Sequence, residues 1–284
     1  MKKSTKIWLI VALCLIAVGI TASAAGFALV GFDFKALSTQ QMEDNTFVVE
    51  ENFSNIGLHT ETSDVTFVPT TDDKVTVVCH EHTKAKHKVY VQGDTLWINN
   101  QDQRQWYDHI GIHISSPKLT VYLPAGEYGE LQISHAIGEL TMPDDFRFAQ
   151  AQVLLAAGDI SWQANVKDEL AIHTTTGDVD MKNTQCGTLE IHTTTGDVEL
   201  SRTEATGLMT VQVTTGDVEL EHVDAGELSI KTVTGDVGGS LRSSKVFVVD
   251  TSTGDVVVPE RTTGEKCTVN TTTGDVFLHV IAGG

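Results

Sequence analysis

A column of carboxylates recurs through the second half of the chain, and these side chains are the strongest candidates for chemistry. Each directly follows a glycine, and the glycines recur every 19 or 20 residues. Carboxylate oxygens suit Ca²⁺, a hard cation, so one hypothesis is a calcium ladder; the other is that backbone N–H groups and threonine hydroxyls hold the carboxylates. The carboxylates of this candidate cation ladder are Asp159, Asp178, Asp197, Asp217, Asp236, Asp255 and Asp275.

A second group of metal-type side chains lies upstream. His80 and His82 lie two residues apart on one strand face, with Glu81 between them and His87 nearby. Such ligands suit Zn²⁺ or Cu²⁺, but the spacing fixes no third ligand. The favoured interpretation is an exposed polar strand. No cofactor is therefore predicted, and Ca²⁺ at the aspartate column is the one cation left open.

The sequence predicts no catalytic residue. It contains no nucleophile elbow, phosphate-binding loop, zinc-protease helix or dinucleotide fingerprint. A glycan-cleaving β-helix enzyme is the alternative, and it would need acidic and basic residues gathered in one groove. Basic residues are scarce, and Lys231, Arg242 and Lys245 form the nearest grouping. We therefore predict that the protein is not an enzyme.

The elements that carry the carboxylates form a repeat with the phrase Thr-Thr-Thr-Gly-Asp-Val. Ile or Val stands five residues before each glycine, a branched apolar residue stands two after it, and the column four before is mostly polar. Alternation with period two predicts half-buried strands. Each repeat is read as a strand, a Gly-Asp corner, a second short strand and a connecting loop such as 182–187. The corner glycines, which suit positive φ or close backbone approach, are Gly158, Gly177, Gly196, Gly216, Gly235, Gly254 and Gly274.

A period near 20 residues predicts a stacked fold. We predict an all-β, single-chain β-solenoid of about eight regular coils over residues 129–284, with successive copies directly above one another. Residues 46–128 are predicted to form a less regular β region that caps the solenoid. Its candidate strands are Ile56–His59, Val65–Val68, Val75–Cys79, Lys88–Val91, Thr95–Ile98, His109–Ile114 and Leu119–Leu123.

The N-terminal residues predict export. Residues 1–6 are a basic tail with three lysines, and residues 7–32 carry no charge and are long enough to cross a bilayer. The lysines predict a cytoplasmic N-terminus and hence an extracytoplasmic C-terminal domain on a single-pass transmembrane helix, joined by a linker at 33–45. The alternative is a cleaved signal peptide, because Ala22-Ser23-Ala24 resembles a cleavage site.

Charge and cysteine content limit the partners. The net charge of −19 disfavours nucleic acid and favours cations, basic peptides or basic protein surfaces. Cys267 occupies an inward column and Cys186 a connecting loop several coils away, too far apart for a disulfide. Cys267 is predicted to be a small buried hydrophobe, and the state of Cys79 is open.

The last coil runs from Val276 to Ile281 without a polar cap. An open strand edge invites pairing, so Phe277 and Val280 are the predicted end-on interface. The alternative is a short twisted edge that solvent tolerates. Self-association at this edge gives the alternative function, a homopolymerising structural solenoid.

The Thr-Thr-Gly-Asp-Val coils, Ser63-Asp64-Val65, the Gly93–Leu96 hairpin and Leu119–Pro124 resemble the putative-adhesin β-solenoid domain of bacterial envelope proteins. The resemblance covers about Phe47 to Val280 and implies a bacterial surface protein, often linked with envelope stress, without a catalytic residue. The predicted function is a membrane-anchored extracytoplasmic binding or scaffold module of the cell envelope. Its predicted partner is an envelope protein, a basic peptide or a cell-wall component.

Overall fold

The computed structural model describes residues 3–29, 41–72, 74–106, 116–260 and 263–281. Helix α1 belongs to one compact unit, and the strands from Glu43 onward belong to a second. The predicted strand His109–Ile114 lies outside the described residues.

Helix α1 spans Lys3–Leu29. Its 19 residues from Trp8 to Gly26 have a mean hydropathy of 2.4, and none is buried. The prediction of one apolar N-terminal helix long enough to cross a membrane is confirmed. The same properties are found in signal sequences, so both interpretations of the segment remain.

From β8 onward long strands alternate with short ones, as a strand, a corner and a second strand would require, except that β17 combines a short and a long strand. Their bounds are β1 Met42–Val49, β2 Asn55–Thr62, β3 Asp64–Thr70, β4 Val75–His82, β5 Ala85–Gln92, β6 Thr95–Asp102, β7 Lys118–Pro124, β8 Gly126–Ile137, β9 Leu140–Met142, β10 Phe146–Ala157, β11 Ile160–Trp162, β12 Asn165–Thr176, β13 Val179–Lys182, β14 Gln185–Thr195, β15 Val198–Ser201, β16 Glu204–Thr215, β17 Val218–Thr234, β18 Val237–Leu241, β19 Lys245–Thr253, β20 Val256–Val257, β21 Glu265–Thr273 and β22 Val276–Val280.

Parallel pairing stacks these strands into two faces. The first face runs β6, β2, β8, β10, β12, β14, β16, β17, β21, β19. The second runs β7, β3, β9, β11, β13, β15, β17, β18, β22, β20. Strand β17 belongs to both because its 17 residues continue around a bend. The predicted β-solenoid of about eight coils is confirmed.

The core is the set of apolar columns read from the sequence. Ile172, Ile191 and Val211 are in register on the first face, and all three are fully buried. The threonine column three residues before the glycine also faces inward, since Thr174 and Thr193 are buried. β-Branched side chains stacked at the strand spacing fill such an interior well.

The final two repeats do not stack in sequence order, so the expectation that successive copies lie above one another is wrong at this end. Leu228 of β17 pairs with Cys267 of β21, and Cys267 pairs in turn with Phe247 of β19. The Gly274 coil is therefore inserted between the Gly235 coil and the Gly254 coil. Because the repeats are nearly alike, their period does not specify their order.

Sequence order is also broken at the other end. Strand β2 lies between β6 and β8, and β3 lies between β7 and β9. Strand β5 then pairs antiparallel with β6, and β4 pairs antiparallel with β7. The β4–β5 hairpin thus covers the outer edge of this end, as the predicted cap requires. The segment boundaries proposed from the sequence stay predictions.

The predicted connecting loop at 182–187 is mostly strand. Strand β13 ends at Lys182 and β14 begins at Gln185, so only two residues connect them. Asn183, Arg202 and His222 take left-handed conformations with φ of 55°, 49° and 58°, and register shifts bend the long strands soon afterwards. Cys186 consequently lies on a strand and is buried rather than in a loop.

Candidate functional site

Each regular coil turns at a glycine that no other residue could replace without strain. The eight corner glycines from Gly138 to Gly274 have φ between 132° and 155°, a region that L side chains rarely adopt. A Cβ at Gly177 would also lie 2.0 Å from the carbonyl oxygen of Gly158 in the coil beneath. The corner therefore fixes the position of the aspartate that follows it.

These aspartates form a continuous hydrogen-bonded ladder. The backbone N–H of Asp178 donates to the carboxylate Oδ1 of Asp159 at 2.9 Å, and the N–H of Asp197 donates to Asp178 at 2.8 Å. The same bond recurs at 2.7–2.8 Å in the remaining coils, where Asp217 donates to Asp197, Asp236 to Asp217, Asp275 to Asp236 and Asp255 to Asp275. Backbone donors thus offset part of the repulsion between stacked carboxylates.

The second oxygen of each ladder carboxylate accepts no hydrogen bond from the described residues. It is free to meet solvent or a cation, and the Ca²⁺ ladder therefore stays a prediction. The backbone bonds make a cation unnecessary for stacking. A melting temperature that does not respond to millimolar Ca²⁺ or to a chelator would contradict the calcium hypothesis.

A second acidic row runs beside the ladder, two residues further along each coil. Asp180, Glu199 and Glu219 are in register on β13, β15 and β17. Asp180 is paired with Lys182 at 2.6 Å. Glu199 and Glu219 are exposed and make no hydrogen bond within the described chain, although the charge of Lys182 is near Glu199. We call the two rows together the acidic ridge, formed by Asp178, Asp197, Asp217, Asp236, Asp180, Glu199 and Glu219.

The upstream histidine group is arranged differently from the prediction. Glu81, His82 and His87 are buried, so the expectation of an exposed polar strand is wrong. His80 points away from Glu81, and its Nδ1 lies 2.6 Å from the carboxylate of Asp44. The predicted pairing of His80 with His82 as metal ligands is therefore replaced by a different set.

That set is a buried cluster under the β4–β5 hairpin. His87 donates its backbone N–H to Glu81 at 2.6 Å, and its ring Nδ1 lies 2.7 Å from the same oxygen. Cys79 is adjacent, with one ligand atom from each of the three residues within 4.8 Å of the others. Burial, with a smaller contribution from the Glu81 charge, raises the pKa of the Cys79 thiol to about 12.

Two of the three residues of this cluster have a visible pattern in the sequence, whereas the third does not. Alternation from Val75 and Val77 already places Cys79 and Glu81 on the buried side of β4. The position of His87 depends on how β5 folds back against its neighbours, which no local pattern specifies.

The three basic residues that form the nearest grouping in the sequence are placed differently from one another in the described structure. Lys245 is buried, and its Nζ lies 2.8 Å from Asp224 Oδ1. Arg242 pairs with Glu204 at 3.1 Å, and Lys231 is exposed on the first face. Two of the three cations are thus used in structural ion pairs.

The chain is similar to one known protein family. The model of the family described as Toastrack DUF4097 matches residues 53–281, more than half of the chain. No curated protein matches the chain.

Solved structures to which the chain is similar include three bacterial proteins. A putative adhesin from Bacteroides fragilis is 12% identical, with 86% of this chain and 99% of that chain covered and a TM-score of 0.41. A putative cell adhesion protein from Clostridium sporogenes is 11% identical, with 85% and 100% covered and a TM-score of 0.30. A putative lipid binding protein from Parabacteroides distasonis is 12% identical, with 86% and 98% covered and a TM-score of 0.42.

Proposed function

We propose that this chain, which belongs to the Toastrack DUF4097 family, is a membrane-anchored, extracytoplasmic binding module of the bacterial cell envelope and performs no catalysis. Its partner is a basic peptide or the basic surface of an envelope protein. The acidic ridge is the observation that carries this proposal.

The ridge is suited to a cationic partner because its charges are both ordered and accessible. The ladder row is held rigid by its backbone hydrogen bonds, and Glu199 and Glu219 beside it are exposed. The rows repeat at the strand separation of about 4.8 Å, so an extended basic chain lying along the stack meets several carboxylates in succession. A net charge of −19 adds long-range attraction.

The arrangement of the ridge carboxylates and of two basic residues supports the part of the proposal that excludes catalysis. A hydrolytic groove needs an acid and a base held in unequal environments. The ridge carboxylates instead repeat in equivalent surroundings, and Lys245 and Arg242 are engaged in ion pairs.

The membrane anchor is supported by the uninterrupted apolar stretch of α1 from Trp8 to Gly26 and by the lysines that precede it. The intact mass of protein extracted from membranes tests this assignment. Retention of the helix gives the full 30.7 kDa, whereas cleavage after Ala24 removes the first 24 residues and contradicts the anchor.

Binding through the ridge is tested with the full chain in detergent micelles and a fluorescent lysine-rich peptide. The double variant Glu199→Gln, Glu219→Gln removes two exposed charges and should weaken binding by roughly 2- to 30-fold. The matched control is Glu169→Gln, Glu265→Gln, which changes the net charge equally at exposed sites on other strands.

Equal losses in the two double variants would show that net charge alone attracts the peptide, and they would contradict the ridge. Binding that does not weaken between low and physiological salt would contradict an ionic interface altogether, because exposed ion pairs are screened.

A second candidate function, self-association, is supported by the open end of the stack. In interior coils the corner glycine and the residue two after it donate their N–H groups to the next coil, as Gly235 does to Thr273 and Val237 to Asp275. The Gly254 coil has no next coil among the described residues, so its donors face outward. The predicted interface residues Phe277 and Val280 lie on β22. Strand β18 pairs with both of them, whereas β20 pairs with Phe277 and does not reach Val280.

This end supports a closed pair better than the polymer predicted from the sequence. A polymer requires an open edge at both ends of each copy, but the β4–β5 hairpin covers the other edge. We infer that self-association, where it occurs, joins two β19 edges about a two-fold axis.

A further inference from the structure

We propose that Cys79, Glu81 and His87 form a binding site for a zinc ion beneath the β4–β5 hairpin. The proposal is independent of the acidic ridge and rests on geometry, burial and ligand chemistry. In this proposal the zinc ion has a structural role: it stabilises the β4–β5 hairpin and takes no part in a reaction.

The three ligands converge because of the strand pattern. Cys79 and Glu81 are two residues apart on β4 and therefore face the same, inward side, while β5 brings His87 alongside. Their exposures are 0%, 1% and 5%, and their ligand atoms lie within 4.8 Å of one another. Ligands around tetrahedral zinc are about 3.2–3.8 Å apart, given metal–ligand distances of about 2.0–2.3 Å. Zinc binding therefore requires the Glu81–His87 pair, now 2.7 Å apart, to open slightly and the more distant ligand atoms to close slightly.

The outward atoms of two ligands are already held by other residues, as ligands of a metal usually are. His87 Nε2 lies 2.9 Å from the hydroxyl of Thr60, which leaves Nδ1 directed toward Glu81. Asn45 donates to Glu81 Oε1 at 2.8 Å, which leaves Oε2 on the side of His87. These supports orient one nitrogen and one oxygen toward the same point.

The chemistry of the set selects the ion. A thiolate, an imidazole and a carboxylate are zinc ligands, and the thiolate disfavours Ca²⁺ and Mg²⁺. On binding, the Cys79 thiol releases its proton to solvent, neutral His87 coordinates through Nδ1 with its remaining proton on Nε2 toward Thr60, and Glu81 coordinates as the carboxylate. Water occupies the fourth position, as in three-ligand zinc sites.

The site is fully enclosed, so the test loads the metal during folding. The full chain is unfolded in denaturant with a chelator, freed of the chelator, and refolded in detergent with Co²⁺ as the only added metal. Its spectrum is then examined for the thiolate-to-cobalt charge-transfer absorption. We expect one equivalent of Co²⁺ to give this band and Zn²⁺ to remove it by displacement. Wild-type protein without the band would overturn the proposal.

The variants identify the ligand. Cys79→Ser should lose the band, and the matched control Cys267→Ser, which alters another fully buried cysteine, should keep it. A band that persists in Cys79→Ser would overturn the proposal. If Cys79→Ser does not fold, His87→Gln gives the decision, since it keeps the thiol and should still lose most of the absorption.

A second readout is thermal stability. Zinc at about 100 times its Kd should raise the melting temperature of wild-type protein by roughly 5–10 °C, and the shift should be absent in His87→Gln. An equal shift in wild-type and variant would mean that zinc binds elsewhere, against the proposal.

Discussion

At the scale of single residues, each ladder aspartate between the two ends both donates and accepts a hydrogen bond. The N–H of Asp197 donates to Asp178, and its carboxylate accepts the N–H of Asp217. Repulsion between neighbouring carboxylates lowers the stability of the stack, whereas the hydrogen bond that each carboxylate accepts raises it. Substitutions at one aspartate can separate these two effects.

We predict that Asp197→Ala lowers the free energy of unfolding by about 0.5–1.5 kcal/mol, because it leaves the N–H of Asp217 without its acceptor. Asp197→Asn should cost less, since its amide oxygen still accepts while repulsion from the neighbouring carboxylates is removed. Urea unfolding of the two variants measures the difference. Equal losses would show that the negative charge, rather than the acceptor, stabilises the coil.

A second prediction concerns His135, which is 4% exposed. Burial lowers the pKa of its ring, although a hydrogen bond to the carbonyl of Ile137 partly opposes the shift. A folded-state pKa below the unfolded value means that the fold favours the neutral ring. The contribution of His135 to stability is therefore complete above about pH 6.5 and is lost as the pH falls through the folded-state pKa.

His135→Leu should flatten this acid-side loss of stability, since the paired position in the next coil is already Leu155. The measurement is the melting temperature between pH 7 and pH 5. Replacement of the exposed His279 by Gln is the control and should leave the wild-type slope. A His135→Leu variant with the wild-type slope would assign the loss to other groups.

For single residues, the sequence correctly predicted those features that depend on the local backbone geometry. Corner geometry requires glycine at φ near 140°, so the glycine column was visible without a structure. The Glu81–His87 contact was not visible, because it joins two strands whose relative position depends on the pairing of the whole cap. The αL positions Asn183, Arg202 and His222 share no residue type and gave no common signal.

At the scale of elements, one buried ion pair holds the displaced strand β19 in place. Lys245 at the start of β19 contacts both Asp224 and the carbonyl of Ala225 on β17, across the inserted β21. Ser243 donates to the same Asp224 oxygen at 2.6 Å. Burial tends to raise the pKa of Asp224, but these hydrogen bonds outweigh it and lower the pKa overall.

We predict that Lys245→Met lowers the free energy of unfolding by about 1–3 kcal/mol, less than for a fully buried pair because Asp224 keeps some solvent contact. The loss should appear first as faster amide exchange in β19 and β20. Lys245→Met, Asp224→Asn should recover part of it by removing the unpaired charge. A double variant no more stable than the single would show that packing of the lysine stem, not charge, is what matters.

Element order was the part of the fold that the sequence did not specify. The apolar columns predicted the strands and their inward faces because each depends on alternation within a few residues. The insertion of β21 between β17 and β19 was missed because Leu228, Cys267 and Phe247 are equivalent in their columns. Only contacts such as Lys245 with Asp224 distinguish one neighbour from another.

At the scale of the whole molecule, the stack formed by the described strands has one covered edge and one open edge. We predict an equilibrium between monomer and dimer that does not extend to larger species. A two-fold contact uses the one open edge of each copy, so no open edge is left for a third copy. Sedimentation of the full chain in detergent, corrected for bound detergent, over a wide range of protein concentration measures this. Masses beyond the dimer that depend on protein concentration would contradict it.

Charges at the open edge should shift that equilibrium toward monomer. Val248 and Val257 are 50% and 58% exposed on β19 and β20, and Val248→Lys, Val257→Lys places like charges opposite one another across the axis. Val233→Lys alters a similarly exposed valine within the stack and should leave the equilibrium unchanged. A dimer that survives the edge variant must use another surface.

The displaced order of the last coils also matters while the protein is being made. A ribosome releases β19 and β20 before it has synthesised β21 and β22, the strands that separate them from the rest of the stack. Until those strands emerge, the nascent chain has no final position for the Gly254 coil. Loss of β21 and β22 by a premature stop would consequently leave the Gly254 coil without the strands that hold it, so two coils would lose their native positions instead of one.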